Sequence, residues 1–422
     1  MKRVLLLATT TGYQTRMFGE AAERLGVKLV FATDRCDQLD DPWWDGAIPV
    51  RFHQEATTVH AIVTEAERSQ IDGLLAVGDR PTVAAAYAAR LLGLTGNPPD
   101  AVKAARDKRV TRARLRDAGL RVPDVTIVAR FVDPNEVVER LRFPVVIKPA
   151  VLSGSRGVIR ADDRASFIAA FNRLQRLLET EDVRALHDSA ADAIIVESFI
   201  PGREFALEGL LEEGRLYTLA IFEKPDPLDG PFFEETIYVT PPRASEPVQA
   251  MIRDEIAAAA RALGLHHGPV HAECRVNEAS VFVLEVAARP IGGLCARALI
   301  FTGADGASAG LEELLLRHAL GEPIGTWRLA TGATGVMMIP IPEGGVYRRV
   351  DGMERALQVP HIWEIRITAK PDQTLVPIPE GASYLGFIFA RAGTPDAVEH
   401  ALREAHAALA FVIDRALPLA GR

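Results

Sequence analysis

Short apolar runs alternate with segments of helical periodicity through the first hundred residues. Three runs have the composition of buried strands: residues 3–8, 27–32 and 73–77. Three segments carry apolar residues at helical spacing: residues 14–25, 57–68 and 80–92. Strands that alternate with helices favour a parallel sheet with helices on both faces. The sequence therefore predicts an α/β unit at the N-terminus.

The turn after the first strand argues against a dinucleotide site. Thr9-Thr-Thr-Gly12 lacks the GxGxxG fingerprint that such a site carries in a Rossmann-like sheet. Thr10, Gly12 and Asp79 nevertheless follow strands, at the edge where sheets of this kind bind ligands. We expect the unit to be a scaffold that supplies part of a substrate pocket.

A lysine and a loop of small residues are neighbours in the next part of the chain. Residues 143–150 have the composition of a strand whose polar exception is Lys148, and a buried lysine is costly without an anionic partner. The loop that follows offers five candidate phosphate-binding residues: Ser153, Gly154, Ser155, Arg156 and Gly157. It lacks the Gly-Lys-Ser/Thr ending of a P-loop, and an ordinary hairpin turn is the alternative. The nearby Lys148 favours a phosphate clamp.

Three carboxylates lie in the apolar runs of residues 193–208: Glu197, Glu204 and Glu208. The pattern predicts two strands joined by a turn at Pro201-Gly202. Solvated strand faces would account for any one of the three carboxylates. Together they suit recognition of the exocyclic amine and the ribose hydroxyls of a nucleotide.

Two further carboxylates lie in runs that predict an antiparallel hairpin. Glu273 and Glu285 alternate with apolar neighbours, so they can converge on one face of the hairpin. Such a pair suits Mg²⁺, which binds through one or two carboxylates together with substrate phosphates. Arg289 adds a planar fork for an oxyanion, and Gly292 and Gly293 permit close backbone approach. A surface hairpin with solvated carboxylates is the alternative.

The histidines near this hairpin favour structural roles over metal ligation. His266 and His267 precede a turn, and their side chains would diverge on an extended chain. His271 stands two residues before Glu273 and therefore shares its strand face.

Composition narrows the class of protein. A chain of 422 residues predicts three or four structural units, and its hydrophobic (48%) and charged (25%) contents are ordinary for a globular enzyme. The net charge of −8 argues against general nucleic-acid binding. Three cysteines without CxxC spacing favour a reducing compartment over zinc or disulfides. The first apolar run is too short for a signal sequence, and no run approaches a membrane span, so a cytoplasmic protein is expected.

The order of these motifs resembles that of ATP-grasp enzymes. The motifs are, in chain order, Lys108, Lys148-Pro149, the small-residue loop, Glu197 to Glu204, His271 to Glu273, and Glu285 to Arg289. More narrowly, the chain is similar over nearly its whole length to the carboxylate–amine ligases that include bacterial L-amino acid (dipeptide) ligases.

The resemblance implies a multidomain α/β fold in four parts. These are an N-terminal Rossmann-like pre-ATP-grasp domain (residues 1–97), an ATP-grasp subdomain with the phosphate-binding lysine and glycine loop (98–194), an ATP-grasp subdomain with the metal and catalytic residues (195–325) and a C-terminal α/β domain (326–422). In the last part, strand-like runs at 335–342, 363–367 and 384–390 precede a helix at 395–410.

The resemblance also implies the cofactors, ATP and Mg²⁺ with Mn²⁺ as a substitute, and a role for each matching residue. The residues that would bind ATP are Lys108, Lys148, the loop from Ser153 to Gly157, the adenine-binding stretch Glu197, Ser198, Phe199 and Ile200, and either Glu204 or Glu208 at the ribose. Glu273 and Glu285 would bind the metal and, with Arg289, act in catalysis. The residues that would contact substrates are Lys224, Glu235, His271, Arg289, Gly292 and Gly293.

One position departs from the family pattern. Many relatives carry an asparagine two residues after the second metal-binding glutamate, where this chain has Ala287. A second magnesium ion would then rely on phosphate and water oxygens.

The implied function is an ATP-dependent carboxylate–amine ligase, which forms an amide through an acyl-phosphate and releases ADP and phosphate. Its partners would be small carboxylates and amines, most simply amino acids, with no nucleic acid or membrane; a homodimer is left open. Two alternatives stand beside it: an ATP-grasp carboxylase or ligase that uses bicarbonate or another carboxylate, and a nucleotide sensor without catalysis. The set Lys148, Glu273, Glu285 and Arg289 favours an enzyme over a sensor.

Overall fold

The computed structural model describes residues 1–9, 13–34, 47–278 and 280–415. The N-terminal part is a four-stranded parallel sheet with the strand order β3-β2-β1-β4. Its elements are β1 (Arg3–Ala8), α1 (Tyr13–Leu25), β2 (Lys28–Asp34), β3 (Ile48–Val50), α2 (Glu55–Arg68), β4 (Gly73–Val77) and α3 (Thr82–Leu91). Leu6 packs with Phe18 of α1, while Leu5 packs with Val59 of α2 on the other face. The predicted parallel sheet with helices on both faces is therefore confirmed.

Of the three residues predicted to follow strands in the pocket, only Asp79 can be placed. It follows β4 at the carboxyl edge of the sheet. Thr10 and Gly12 lie outside the described residues.

Two helices, α4 (Pro99–Arg106) and α5 (Lys108–Asp117), follow the N-terminal sheet. Asp107 breaks the helix with an extended backbone (φ −89°, ψ 106°), and its side chain accepts a hydrogen bond from the backbone N–H of Arg109. Aspartate is a favoured N-cap because it satisfies an unpaired N–H in the first turn. The break makes Lys108 the first residue of α5.

A four-stranded antiparallel sheet with the order β5-β8-β6-β7 follows. Its elements are β5 (Val125–Ala129), α6 (Pro134–Val138), β6 (Val145–Pro149), β7 (Ile159–Ala161), α7 (Arg164–Leu178), α8 (Glu181–Arg184) and β8 (Ala193–Ser198). Phe167, Phe171 and Leu174 of α7 are fully buried against the apolar face of this sheet. This packing holds β6 and β8 side by side, so Lys148 and Glu197 come from adjacent strands.

The largest sheet has eight antiparallel strands in the order β13-β12-β9-β10-β11-β17-β21-β19. The elements of this part of the chain are β9 (Arg203–Glu212), β10 (Arg215–Lys224), β11 (Ile237–Thr240), α9 (Glu246–Leu263), β12 (Gly268–Val276), β13 (Val281–Ala287), β14 (Ile300–Thr302), β15 (Ser308–Gly310), α10 (Leu311–Ala319), β16 (Arg328–Leu329), β17 (Ala333–Ile339), β18 (Gly345–Asp351), α11 (Met353–Leu357), β19 (Ile362–Ile367), β20 (Thr374–Leu375), β21 (Gly386–Ala392), α12 (Pro395–Ala407) and β22 (Ala410–Asp414). Strands β17, β19 and β21 lie beyond residue 326. The last two predicted domains thus share one sheet, and the boundaries between the four parts stay a prediction.

Within the described ranges, the structure contains no helix that combines the length and apolar character needed to span a membrane.

Candidate functional site

One cavity of about 580 Å³ collects residues from every part of the fold. Its wall includes Asp79 after β4, Lys148 on β6, Glu273 on β12 and Tyr384 before β21. Ligand sites of small molecules fall in this size range and combine apolar walls with a few placed polar groups. This cavity is the candidate site.

The predicted carboxylate hairpin forms the floor of the cavity. Strands β12 and β13 are antiparallel, and Glu273 is directly opposite Glu285 in their register. Directly opposed residues project from the same face with Cβ atoms about 5 Å apart. Glu285 keeps 27% of its side chain exposed, with Lys108 Nζ and Arg289 Nη2 each 3.9 Å from its carboxylate. The hairpin prediction is confirmed, and its paired carboxylates suit a hard divalent cation.

Arg112, Glu197 and Lys148 form a buried ion triplet, and the last two of these residues line the cavity. Arg112 Nε donates to Glu197 Oε1 at 2.7 Å, and Lys148 Nζ lies 2.6 Å from Glu197 Oε2. Burial alone would raise the pKa of Glu197, but Arg112 and Lys148 together lower it to about 2. Burial lowers the pKa of Lys148 to about 8 against the attraction of Glu197, with Arg112 adding to the decrease. Glu197 lines the cavity with both of its oxygens bonded to cations, and its predicted contact with adenine stays a prediction.

The stretch after Glu197 does reach the cavity. Ser198, Phe199 and Ile200 all line it. The Phe199 ring lies against two guanidinium groups, with Arg160 at 4.1 Å and Arg275 at 5.1 Å from the ring centroid. This segment therefore offers an aromatic wall between the two antiparallel sheets.

Lys224 lies in a cage of three carboxylates. Its Nζ is 2.8 Å from Glu204, 2.5 Å from Glu235 and 2.9 Å from Glu273. Oxygens of these three glutamates lie within 4.8 Å of one another, the spacing of a metal site, yet the Lys224 ammonium bonds to each of them. Lys224 is buried and is not part of the cavity wall, so the predicted substrate contact by its side chain is not supported. Glu235 does line the wall.

Burial controls the protonation of Glu235. Burial and the nearby Glu273 raise the pKa of Glu235 to about 7, with Lys224 opposing them. A carboxylate in this range can both hold and release a proton near neutral pH.

Glu208 lies behind the cavity. Its side chain is fully buried; Oε2 lies 3.1 Å from His271 Nδ1, and Oε1 accepts a hydrogen bond from Ile291 N at 3.1 Å. Both oxygens are thus used inside the protein, and the ribose role offered for Glu208 is not supported. Glu204 lines the cavity, although its oxygens are held by Lys224 and by Arg275 Nε at 2.9 Å.

His271 bridges Glu208 and the hairpin. Its Nε2 lies 3.7 Å from Glu273 Oε1. Burial would lower the pKa of His271, but the hydrogen bond with Glu208 and the nearby Glu273 carboxylate raise it to about 9. The imidazole is therefore a cation at neutral pH that holds the Glu273 carboxylate in place.

The small-residue loop divides into two halves. Ser153, Gly154 and Ser155 line the cavity, and Gly154 and Ser155 have left-handed backbones (φ 63° and 56°). Arg156 and Gly157 face away from it: Arg156 Nε donates to the Glu380 carbonyl at 2.7 Å, and Gly157 N donates to the Pro379 carbonyl at 2.8 Å. Neither residue lines the cavity, so the phosphate contacts predicted for these last two residues are not supported.

Arg289 also lies in the wall of the cavity. Its Nε donates to Asp79 Oδ1 at 2.8 Å, so the N-terminal sheet orients the guanidinium. Gly292 and Gly293 line the wall beside it. Asp79 supplies part of the pocket, as the sequence predicts, but as a partner of Arg289.

The sequence analysis does not identify three features of the site: the buried Arg112, the buried Arg275 and the part of the cavity wall that comes from the C-terminal region. Arg112 follows Lys108 by one helical turn, a spacing that marks a shared face of α5. Arg275 is two residues after Glu273 on β12, on the same strand face. The C-terminal wall carries no comparable signal; its members are Met338, Thr368, Gln373, Ala382, Ser383, Tyr384 and Phe387.

Three family models match the chain in order. The model of the ATP-grasp N-terminal domain matches residues 19–96, that of the ATP-grasp domain residues 141–298 and that of the L-amino acid ligase C-terminal domain 2 residues 337–414.

Curated relatives and a solved structure agree with these matches. Alanine–anticapsin ligase of Bacillus amyloliquefaciens is 25% identical over 53% of this chain, a match that spans 49% of the relative's length. D-alanine–D-alanine ligase of Ralstonia pickettii is 27% identical over 53% of this chain and 66% of the relative. The chain thus spans about half the length of the anticapsin ligases that it matches. The crystal structure of L-amino acid ligase from Bacillus licheniformis superposes with a TM-score of 0.79 at 26% identity, over 98% of this chain and 99% of that one. The chain therefore contains ATP-grasp domains followed by an L-amino acid ligase C-terminal domain, and over its whole length it shares the fold of the L-amino acid ligase from Bacillus licheniformis.

Proposed function

We propose that the protein is an ATP-dependent ligase that joins the carboxylate of one amino acid to the amine of another, with release of ADP and phosphate. The observation that carries this proposal is the opposed pair Glu273 and Glu285, set in one cavity with Lys148 and Arg289. Relatives named as ligases of alanine with anticapsin, of two D-alanines and of L-amino acids support the same reaction class.

The donor set fits Mg²⁺ or Mn²⁺. Glu273 and Glu285 would hold the ion with phosphate and water oxygens, since Ala287 offers no ligand atom. When bound, such an ion neutralises the phosphate charge that develops during phosphoryl transfer.

Residues on both sides of the cavity would hold ATP. Lys108 and Lys148 would bind its phosphates, with the amides of residues 153–155 over them. Ser198, Phe199 and Ile200 would receive the adenine, and Glu204 is the better placed of the two ribose candidates because it lines the cavity. These groups act by positioning and by charge.

Arg289, the two glycines after it and Glu235 would bind the amino-acid substrates and act on them. The Arg289 fork would orient the carboxylate and stabilise the charge on its oxygens, and the amides of Gly292 and Gly293 would hold a second carboxylate. Glu235, with a pKa of about 7, would take the proton that the substrate ammonium must lose before its nitrogen attacks the acyl-phosphate.

Phosphate release is the first test. Purified protein with ATP and Mg²⁺ is assayed across single amino acids and pairs, with Glu285→Ala as the inactive control. We expect release that requires particular pairs, vanishes in the variant and is matched by a dipeptide in mass spectrometry. Nucleotide binding without stimulation by any amino acid would overturn the proposal.

Nucleotide affinity should depend on pH through Lys148. Its pKa of about 8 means that the ammonium loses its proton as the pH rises through that value, and the neutral amine binds phosphate weakly. We expect the dissociation constant for ATP to increase about tenfold between pH 7 and pH 9, by calorimetry, in line with the loss of one proton per site.

Lys148→Arg is the matched variant, because a guanidinium stays charged throughout this range. Its dissociation constant should change little with pH. A flat profile for the unmodified protein would remove Lys148 from the phosphate site.

A further inference from the structure

The small-residue loop (residues 153–157) is held by a distant part of the chain. Its second half donates two backbone-directed hydrogen bonds, from Gly157 N to the Pro379 carbonyl at 2.8 Å and from Arg156 Nε to the Glu380 carbonyl at 2.7 Å. Pro379 and Glu380 belong to a turn of residues 377–384 between β20 and β21, hereafter the C-terminal turn. The loop is thus tied to the C-terminal part of the protein.

The side chains of Glu380 and Arg173 form a second contact between the C-terminal turn and the part of the chain that contains the loop. Glu380 forms two hydrogen bonds with Arg173 of α7, one of them from Nη2 to Oε2 at 2.7 Å. Paired bonds between a guanidinium and a carboxylate are directional as well as strong. The Arg173 guanidinium also lies 4.9 Å from the ring centroid of Phe232, which bridges to Ile159 just after the loop. Glu380 is therefore connected through Arg173 to the strand that follows the loop.

The C-terminal turn has little freedom to change shape. Gly381 N donates to the Pro377 carbonyl at 2.9 Å, and a Cβ on Gly381 would lie 1.8 Å from the Val376 carbonyl oxygen. Gly157 is similarly confined, with φ 75° and a Cβ position 2.9 Å from Leu174. A side chain at either position would collide with neighbouring atoms, so the close packing on both sides of the contact depends on glycine.

The same turn also forms part of the cavity wall. Ala382, Ser383 and Tyr384 line the cavity together with Gln373 and Thr368. A ligand that contacts these three residues acts on the chain within five positions of the carbonyls that accept hydrogen bonds from Arg156 and Gly157.

We propose that the C-terminal turn positions the phosphate-end loop over the cavity, with Glu380 and Arg173 as positioning residues, and that amino-acid substrate at Ser383 and Tyr384 strengthens this hold. The second clause rests on the proposed function; the first does not. Substrate and nucleotide would then bind with positive coupling, which thermodynamics requires to be reciprocal.

Hydrogen exchange and nucleotide binding test the proposal with Glu380→Ala. Glu380 is partly exposed, so the fold should persist, and thermal unfolding verifies this. We expect amide exchange in residues 153–158 to become about tenfold faster, because the bonds that protect it open more often. The dissociation constant for a nonhydrolysable ATP analogue should increase about fivefold or more, the usual range of such coupling. Glu380→Gln, which keeps one bond to Arg173, should show smaller changes.

Two controls separate positioning from general damage. Glu139→Ala removes an exposed ion pair with Arg164 in the same subdomain and should change neither quantity. The charge reversal Arg173→Glu with Glu380→Arg should restore the loop, while each single reversal fails. Unchanged loop exchange in Glu380→Ala overturns the proposal, and so does faster exchange with unchanged affinity for the analogue.

The coupling is tested separately with a substrate pair that stimulates phosphate release. Substrate should tighten analogue binding in the unmodified protein and lose this effect in Glu380→Ala; equal tightening in both proteins overturns the coupling. If no amino acid stimulates release, the proposed function fails while the exchange result still decides the role of the turn.

Discussion

Lys224→Met should destabilise the protein by about 3–5 kcal/mol and abolish phosphate release, although the Lys224 side chain does not reach the cavity. The ammonium is the shared partner of Glu204, Glu235 and Glu273, and it is nearly inaccessible to solvent. Methionine has a similar length but leaves three crowded carboxylates without their common cation. Urea unfolding at pH 8 measures the stability, and phosphate release measures the activity.

The pH dependence of this loss identifies its cause. Without Lys224, burial and mutual repulsion hold the carboxylate pKa values above those of the unfolded chain, so the folded state retains protons that the unfolded state releases. The deficit relative to the unmodified protein should therefore grow as the pH rises from 5 to 8. Lys103→Met is the matched control, since Lys103 is 45% exposed, with the Tyr87 hydroxyl 2.9 Å and one exposed carboxylate, Glu55, 3.9 Å from its ammonium. A deficit that is equal at both pH values would contradict an electrostatic origin.

The cage also shows what a sequence pattern can and cannot predict. The hairpin that opposes Glu273 and Glu285 is predictable because its strands are local and its alternation has a period of two. The partners of Lys224 come from two strands, β9 and β12, and from the loop before β11, and only the order of strands in the large sheet brings them together. That order depends on contacts between distant segments.

The glutamates of β9 make the same point in finer detail. Glu204 and Glu208 are four residues apart on one strand face, so the sequence cannot rank them as cavity residues. The register with β12 distinguishes them: Arg275 is opposite Glu204, whereas His271 is opposite Glu208 and separates it from the cavity. The break at Asp107, by contrast, had a local signal, because aspartate before a polar run is a helix start.

The C-terminal residues of the cavity wall are the part of the site that is hardest to predict from the sequence. The strands β17, β19 and β21 follow apolar runs that the pattern identifies, but their insertion beside β11 in the large sheet does not follow from those runs. Only this insertion brings Met338, Tyr384 and Phe387 to the cavity. Met338, Tyr384 and Phe387 therefore line the cavity without belonging to a motif that the sequence reveals.

Arg289→Lys should lower kcat about 100-fold and leave the affinity for an ATP analogue nearly unchanged, the size of effect seen when one preorganised donor to a developing charge is lost. The guanidinium uses Nε for Asp79 and directs Nη2 toward Glu285, 3.9 Å away, so one planar group spans the N-terminal sheet and the hairpin of β12 and β13. A lysine ammonium keeps the charge but offers a single point and cannot span both. Steady-state kinetics with the best substrate pair, together with calorimetric analogue binding, measure the two quantities.

Asp79→Asn keeps a hydrogen-bond acceptor for Arg289 and should lower kcat less, by about tenfold, because the guanidinium stays in place with weaker orientation. A kcat for Arg289→Lys within threefold of the unmodified protein would show that charge alone suffices, and the geometry of the fork would then have no part in the chemical step.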